Sequence, residues 1–228
     1  MTVSNTAYKA SQQIKIAADC IIFGFNDNRV ELLLIHRGFE PEMGRWSLIG
    51  GFVKNNEDLD EAANRILYHL SGLQDIYMEQ VKTFGKANRD PFERVVSTTY
   101  SALILKAKYI KEQVKQYNAE WFPIDNLPEL IFDHQDMVDS AIKRLRRRIR
   151  NFPIAFNLLP PKFTLPQLQA LYEGILNEKL DKRNFRRKIN QMKFLIKLDE
   201  KDMSESRKGA FLYRFDKDLY NEEQNFNL

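Results

Sequence analysis

One cysteine, Cys20, stands among 228 residues, so the chain cannot close a disulfide on itself. That usage suits a reducing compartment, and cytoplasmic localisation is the expectation. No apolar run approaches the ~20 residues that cross a bilayer. The opening stretch MTVSNTAYKASQQ has no apolar segment behind a basic start, so neither a membrane span nor a secretory signal is expected. Internal repeats and long low-complexity stretches are missing as well. What is present suffices for a packed core: 43% of residues are hydrophobic and 12% aromatic. The length fits one large domain or a medium domain with a small one behind it.

The net charge of +4 hides an asymmetry. Residues 1–142 hold 15 basic and 20 acidic side chains, a net of −5. KRLRRRIR, residues 143–150, adds +6, and residues 151–228 hold 14 basic against 11 acidic, a net of +3. An acidic front and a basic rear imply separate tasks, with a polyanion as the partner of the rear.

Hydrophobic patterning divides the chain in the same way. IKIAADCIIFGF and VELLLIHR flank a polar turn as a hairpin, and the β-branched VVSTTYSALIL is a further strand, as are the residues near 81–87 and AEWFP. A helix is predicted over 57–71, capped by Asn56, with Leu59, Ala63, Ile66, Leu67 and Leu70 on one face and Gly72 at its end. Another runs from about Asp133 to Arg150 on a stripe of Val138, Ile142, Leu145 and Ile149. A boundary falls near FPIAFNLLPPKF. Beyond it Thr164 and Gln167 form a capping box, Asp181 caps a second helix, and FLIKLDE and AFLYRF make a hairpin about the turn KDMSES. Helix, turn, helix and hairpin in about 60 residues is the layout of a winged helix-turn-helix.

The stretch GGFVKNNEDLDEAANRILYHLSGL carries the first resemblance. Gly51, Glu57, Arg65, Gly72 and Leu73 match the frame of the Nudix box, so residues 14–150 resemble a Nudix domain. Such domains hold Mg²⁺ or Mn²⁺ on a carboxylate cluster after the arginine, because hard cations take oxygen ligands. Here Ile66, His69 and Leu70 occupy those places. No catalytic residue, metal or cofactor is therefore expected, and the front domain is expected to bind a ligand without cleaving it. Glu57 and Glu61 remain, and helix-start acids in water account for them. Asp19 in an apolar strand needs partners; a hydroxyl-rich ligand and an internal pair with Lys15 both supply them. Phe39 and Trp46 can stack on a ligand ring, and Glu93 and Arg94 lie in the loop where Nudix proteins place ligand contacts. The candidate effector-binding residues are thus Lys15, Asp19, Phe39, Trp46, Glu93 and Arg94.

In the rear, Lys179 to Lys193 carries seven basic residues and one acid. Arg183, Arg187 and Asn190 share a helical face beside Asn184, Arg186 and Lys193, while Phe185, Ile189, Met192 and Ile196 form the buried stripe. Arginine and asparagine are the side chains that make bidentate contacts to base edges. With Thr164, Gln167 and the wing residues Arg207 and Lys208 they form the candidate DNA-binding set. The sequence leaves open whether Arg146, Arg147 and Arg150 touch phosphate or line an interface.

FTLPQLQALYEGILNEKLDKRNFRRKI resembles the DNA-binding segment of the Nudix-related transcriptional regulators, although SRKGAFLY departs from that family's Gly-Arg-Pro-Ala wing. The resemblance implies an α+β chain: a Nudix-like α/β/α sandwich with a mixed sheet over 1–150 and a winged helix-turn-helix over 151–228. It further implies a homodimeric repressor on double-stranded operator DNA. The loss of the acidic box and the lack of an evident diphosphate cradle turn the expectation to the arabinose-responsive branch, with L-arabinose releasing the DNA and sugar catabolism as the target. Alternatives are ADP-ribose as effector with NAD metabolism as the target, a residual Mg-dependent hydrolase using Glu57, Glu61 and Glu93, and a nucleic-acid-binding protein without an effector.

Overall fold

The apolar alternation of KIAADCIIFGFN makes it the central strand of the front domain. The structure, a computed structural model, describes residues 13–26, 29–106, 116–204 and 208–220. Strand β1 (Lys15–Asn26) pairs antiparallel with β2 (Arg29–His36) and, on its other edge, parallel with β6 (Val95–Leu105). The short β3 (Trp46–Ser47) and β7 (Ala119–Pro123) add to β2, β4 (Ile49–Phe52) adds to β1, and β5 (Glu79–Phe84) adds to β6. The result is a mixed sheet of seven strands among the described residues.

Alternation along β1 sends its residues to two cores. Ala18, Cys20 and Ile22 face α1 (Leu59–Ser71), where Ala63, Ile66 and Leu67 are buried. Ile21, Phe23 and Phe25 face α2 (His134–Asn151) through Met137, Val138 and Ala141. Ile142 and Leu145 of the predicted stripe are only partly buried; Met137 and Ala141 take the deep positions instead.

Helix α1 begins later than the periodicity suggested. Its cap is Asp58, not Asn56, because Asp58 and Glu61 close a reciprocal capping box. Gly72 ends it in a left-handed conformation (φ 70°).

After α2 a 3₁₀ turn (Ile154–Leu158) leads into β8 (Phe163–Thr164), α3 (Leu165–Leu176), α4 (Lys182–Ile189), β9 (Leu195–Asp202) and β10 (Ala210–Phe215). Phe156 of the turn stacks on Phe215 at 4.7 Å, fixing the connector to the hairpin. The second predicted helix is shorter than its stripe: it stops at Ile189, Met192 is only partly buried and Ile196 lies in β9. Leu168, Leu171 and Tyr172 join the same core as Ile21 and Val138, so the two domains share one apolar interior.

The basic run 143–150 is largely engaged within the chain. Arg148 pairs with Glu79 of β5, and Arg144 lies 3.9 Å from the same carboxylate. Arg146 donates to the Ile175 carbonyl at 3.2 Å, and Arg150 to Glu178 at 2.8 Å. Four of its arginines therefore hold α2 to a sheet edge on one side and to α3 on the other. No described helix is long and apolar enough to cross a membrane.

Candidate functional site

The box keeps its shape through contacts that consume its remaining acids. Arg65 donates to both oxygens of Glu57 (2.5 and 2.7 Å) and to the Phe52 carbonyl. The Lys54 amide donates to Glu57 as well. The Arg65 hydrogen bonds hold the Glu57 carboxyl down to about 2. Glu61 accepts the Asp58 amide in the cap. Ile66 is buried, and a Cβ on Gly51 would meet it at 3.2 Å, so the first glycine of the box lets α1 pack close to β4. Leu70 packs on the same core, and His69 is exposed beside Tyr68. Among the described residues no group of three His, Cys, Asp or Glu side chains is arranged to hold a metal. Glu93 joins neither acid, for it pairs with Lys15 at 2.8 Å. A hard divalent cation does not fit this donor set.

A polar cleft lies on the other side of β4, toward α2. Its floor is Asp19, which is 5% exposed. Ser97 donates to Asp19 at 2.5 Å, and Gly50 of β4 stands opposite it. A Cβ on Gly50 would fall 1.9 Å from the Asp19 carboxylate. His134, at the start of α2, accepts the Leu48 amide on Nδ1 and points Nε2 at Asp19 across 3.9 Å. Burial pushes its pKa down, so the neutral imidazole carries its proton on the nitrogen that faces Asp19. The Arg37 guanidinium lies over the Phe39 ring at 3.9 Å, and Arg89 forms another wall. The volume is about 100 Å³. Phe52 separates this cleft from a larger groove of about 1180 Å³ whose walls include Lys15, Lys54, Asp60, Gln80 and Glu93.

The expected effector residues therefore divide. Asp19 and Phe39 line the small cleft, and Lys15 and Glu93 line the groove. The internal Lys15–Asp19 pair does not exist, because each residue has another partner. Trp46 lines neither space; its ring packs edge-on against His36 and Phe122 at 5.1 and 4.7 Å. Arg94 donates to the carbonyls of Gly85, Lys86 and Val95 and braces the β5–β6 loop. Sequence reasoning missed Arg37, Ser97, Arg89 and His134. No local pattern points to Arg89, whose partner Asp133 lies 44 residues away.

In the rear domain the side chains of Arg183, Asn184, Arg186, Arg187, Asn190 and Lys193 are all exposed. The four cations among them form no ion pair with any described residue. Asp181 caps α4 through the Asn184 amide, and Phe185 and Ile189 anchor the helix. Asn190 is the C-cap and Lys193 lies beyond the helix, so only the first four positions share its surface. Thr164 and Gln167 each accept the other's backbone amide in the capping box; Thr164 is buried and Gln167 half-buried. Lys208 is exposed at the wing; Arg207 lies outside the described residues.

Comparison with known proteins supports this division. The NUDIX domain family matches residues 14–141, and the NrtR DNA-binding winged helix domain matches residues 155–215. The ADPR responsive transcriptional repressor NtrR of Acinetobacter baylyi is 34% identical over 88% of this chain and 81% of its own length. Shewanella oneidensis NrtR complexed with a 27mer DNA superposes with a TM-score of 0.76 at 28% identity, covering 93% of this chain and 99% of that one. The NUDIX domain of the same Shewanella protein complexed with ADP ribose gives 0.54 at 27% identity, over 63% of this chain and 99% of that one. These findings overturn the expectation of an arabinose-responsive regulator of sugar catabolism. The inference from the missing acids was at fault: metal-binding carboxylates serve cleavage, so their loss does not decide which ligand is bound. The α+β architecture, a Nudix domain with a mixed sheet followed by a winged helix, stands as expected.

Proposed function

The chain belongs to the Nudix-related transcriptional regulators that join a Nudix domain to an NrtR winged helix, and from that premise we propose that it is an operator-binding repressor released by ADP-ribose. One observation carries the reading. A cleft with Arg37 and Arg89 on its walls, beside a box in which no described residues form a metal-binding set, is joined, in one chain, to a helix whose cations pair with no described residue. The cleft binds without cleaving, because Ile66 and Leu70 are aliphatic and Glu57 and Glu61 are held by Arg65 and the helix cap. ADP-ribose suits the spaces: Asp19 and Ser97 offer partners to ribose hydroxyls, Lys15, Arg37 and Lys54 to the diphosphate, and Phe39 and Phe52 a face for the base. Arg183, Asn184, Arg186 and Arg187 contact the duplex, with Asn190, Lys193 and Lys208 against its backbone. The protein acts as a homodimer, because a two-fold protein matches half-sites about one helical turn apart. Residues 1–150 form the effector domain and 151–228 the reader. A ligand that binds the released conformer tenfold better shifts the equilibrium by about 1.4 kcal/mol per site, so two coupled sites sharpen the response.

The test is fluorescence anisotropy of the full chain on DNA from upstream of its own transcription unit, at fixed salt. ADP-ribose should release the DNA where ADP and AMP do not, and chromatography should recover the ADP-ribose intact in Mg²⁺. Release by none of the three nucleotides, or turnover of ADP-ribose that stops in Glu57→Gln, would overturn the reading.

A further inference from the structure

We propose that the cleft between β5, β6 and the C-terminal half of α2 is a second ligand site, distinct from the effector cleft, for a small organic anion with an apolar body. The space is about 350 Å³, within the range of small-molecule sites. It lies on the α2 side of the sheet. Phe23, Leu103 and Leu145 line it from the sheet and helix, and Ile154 and Asn157 close one end from the 3₁₀ turn.

The polar groups in it are unequally satisfied. Arg148 is paired with Glu79, while Arg144 approaches the same carboxylate only to 3.9 Å. The Arg144 Nε is itself buried and has no acceptor among the described residues. A buried donor without an acceptor is unusual in a folded chain, and an occupant is a common reason for it. Arginine is always charged, so the acceptor it favours is anionic: a carboxylate or sulfonate. Ser101 adds a hydroxyl from β6. Asp75, which is exposed, and Glu79 also line the space and disfavour a multiply charged occupant, which favours monoanions. Apolar walls with one charged donor thus select an aromatic or aliphatic body bearing a single anionic group. Neither the effector reading nor the DNA-binding reading uses this space.

The probe is 1-anilinonaphthalene-8-sulfonate, an aromatic monoanion whose emission reports entry into an apolar site, titrated into the full native chain. Saturable one-to-one binding is expected. Arg144→Gln should weaken it about tenfold by removing the charged donor, and Ser101→Phe, which fills the space from a strand position, should abolish it. Phe39→Ala, in the other cleft, should leave it unchanged. Each variant is first checked for wild-type melting temperature and operator affinity, and having two variants keeps the test open if one misfolds. Absence of saturable binding to the wild type would overturn the proposal. So would equal affinity in a folded Arg144→Gln or Ser101→Phe protein, or loss of binding in Phe39→Ala.

Discussion

Arg89 and Asp133 form a two-pronged ion pair: Nε donates to one carboxylate oxygen at 3.0 Å and Nη2 to the other at 2.7 Å. The arginine side chain is 3% exposed and the aspartate 12%. One residue comes from the β5–β6 loop and the other immediately precedes α2. The pair therefore fixes the loop that walls the effector cleft to the helix whose far end is held to α3 by Arg146 and Arg150.

Removing one partner of a buried pair leaves the other charge uncompensated. Arg89→Ala should cost about 3 kcal/mol or more in urea unfolding, and Arg89→Lys should restore only part, because an ammonium cannot make the two-pronged contact. A loss below about 1 kcal/mol would place the pair among solvent-screened surface bridges.

Gly50→Ala tests the cleft floor. A Cβ there would lie 1.9 Å from the Asp19 carboxylate, so Asp19 must leave its place beside Ser97. ADP-ribose affinity, read by calorimetry, should fall on the order of tenfold, about 1.4 kcal/mol. Operator affinity without effector should stay at the wild-type value. A parallel loss of both would mean the substitution disturbs the sheet rather than the cleft.

Glu57 gives a pH signature. Its carboxyl is held at about 2 in the folded chain by Arg65, below an ordinary 4.5. A carboxylate with a depressed folded pKa stabilises the fold above its unfolded pKa, and that stability is lost as pH falls toward the folded value. Glu57→Gln should therefore melt below the wild type at pH 7, and the gap should shrink between about pH 4.5 and pH 2. A gap that stayed constant across that window would show that the Arg65 contact acts through shape and not through charge.

Much of the fold was legible because its signals are local. The apolar runs of β1 and β2 about a polar turn marked a hairpin, the Thr164–Gln167 pair marked a helix start, and Gly72 marked a helix end. The frame of the box was equally plain. Long-range partners were not. Asp19 announced a need for partners, but Ser97 and His134 come from β6 and α2, and no local pattern names them. Trp46 and Arg94 were candidates because aromatic and charged residues in loops often contact ligands; in the structure two neighbouring rings pack on Trp46 and three backbone carbonyls accept from Arg94. The effector was misjudged for a different reason. Missing carboxylates bear on cleavage and leave the identity of the bound ligand undecided.

Helix α4, read as the DNA-contacting helix under the proposed function, yields the last prediction. Each lysine or arginine that neutralises a phosphate releases counterions, so removing one lowers the salt slope of operator binding by about 0.9. A side chain that reads a base edge behaves otherwise: its loss costs about 1–3 kcal/mol and relaxes discrimination at one position. Arg183, Arg186, Arg187 and Lys193 are exposed and form no ion pair with a described residue, so truncating each reports its contact to DNA without an intramolecular rearrangement. Arg187 and Arg183 lie one turn apart on α4, the geometry of a groove-facing pair, whereas Lys193 follows the helix end. Arg187→Ala should therefore lose specific affinity with little change in slope, and Lys193→Ala should lose slope equally on all sequences. Thr164→Ala serves as the control. Its hydroxyl is buried in the capping box, so the change should cost about 1 kcal/mol of stability and leave the slope untouched. A reduced slope in Thr164→Ala would put α3 against the phosphates and require a different docking of the winged helix.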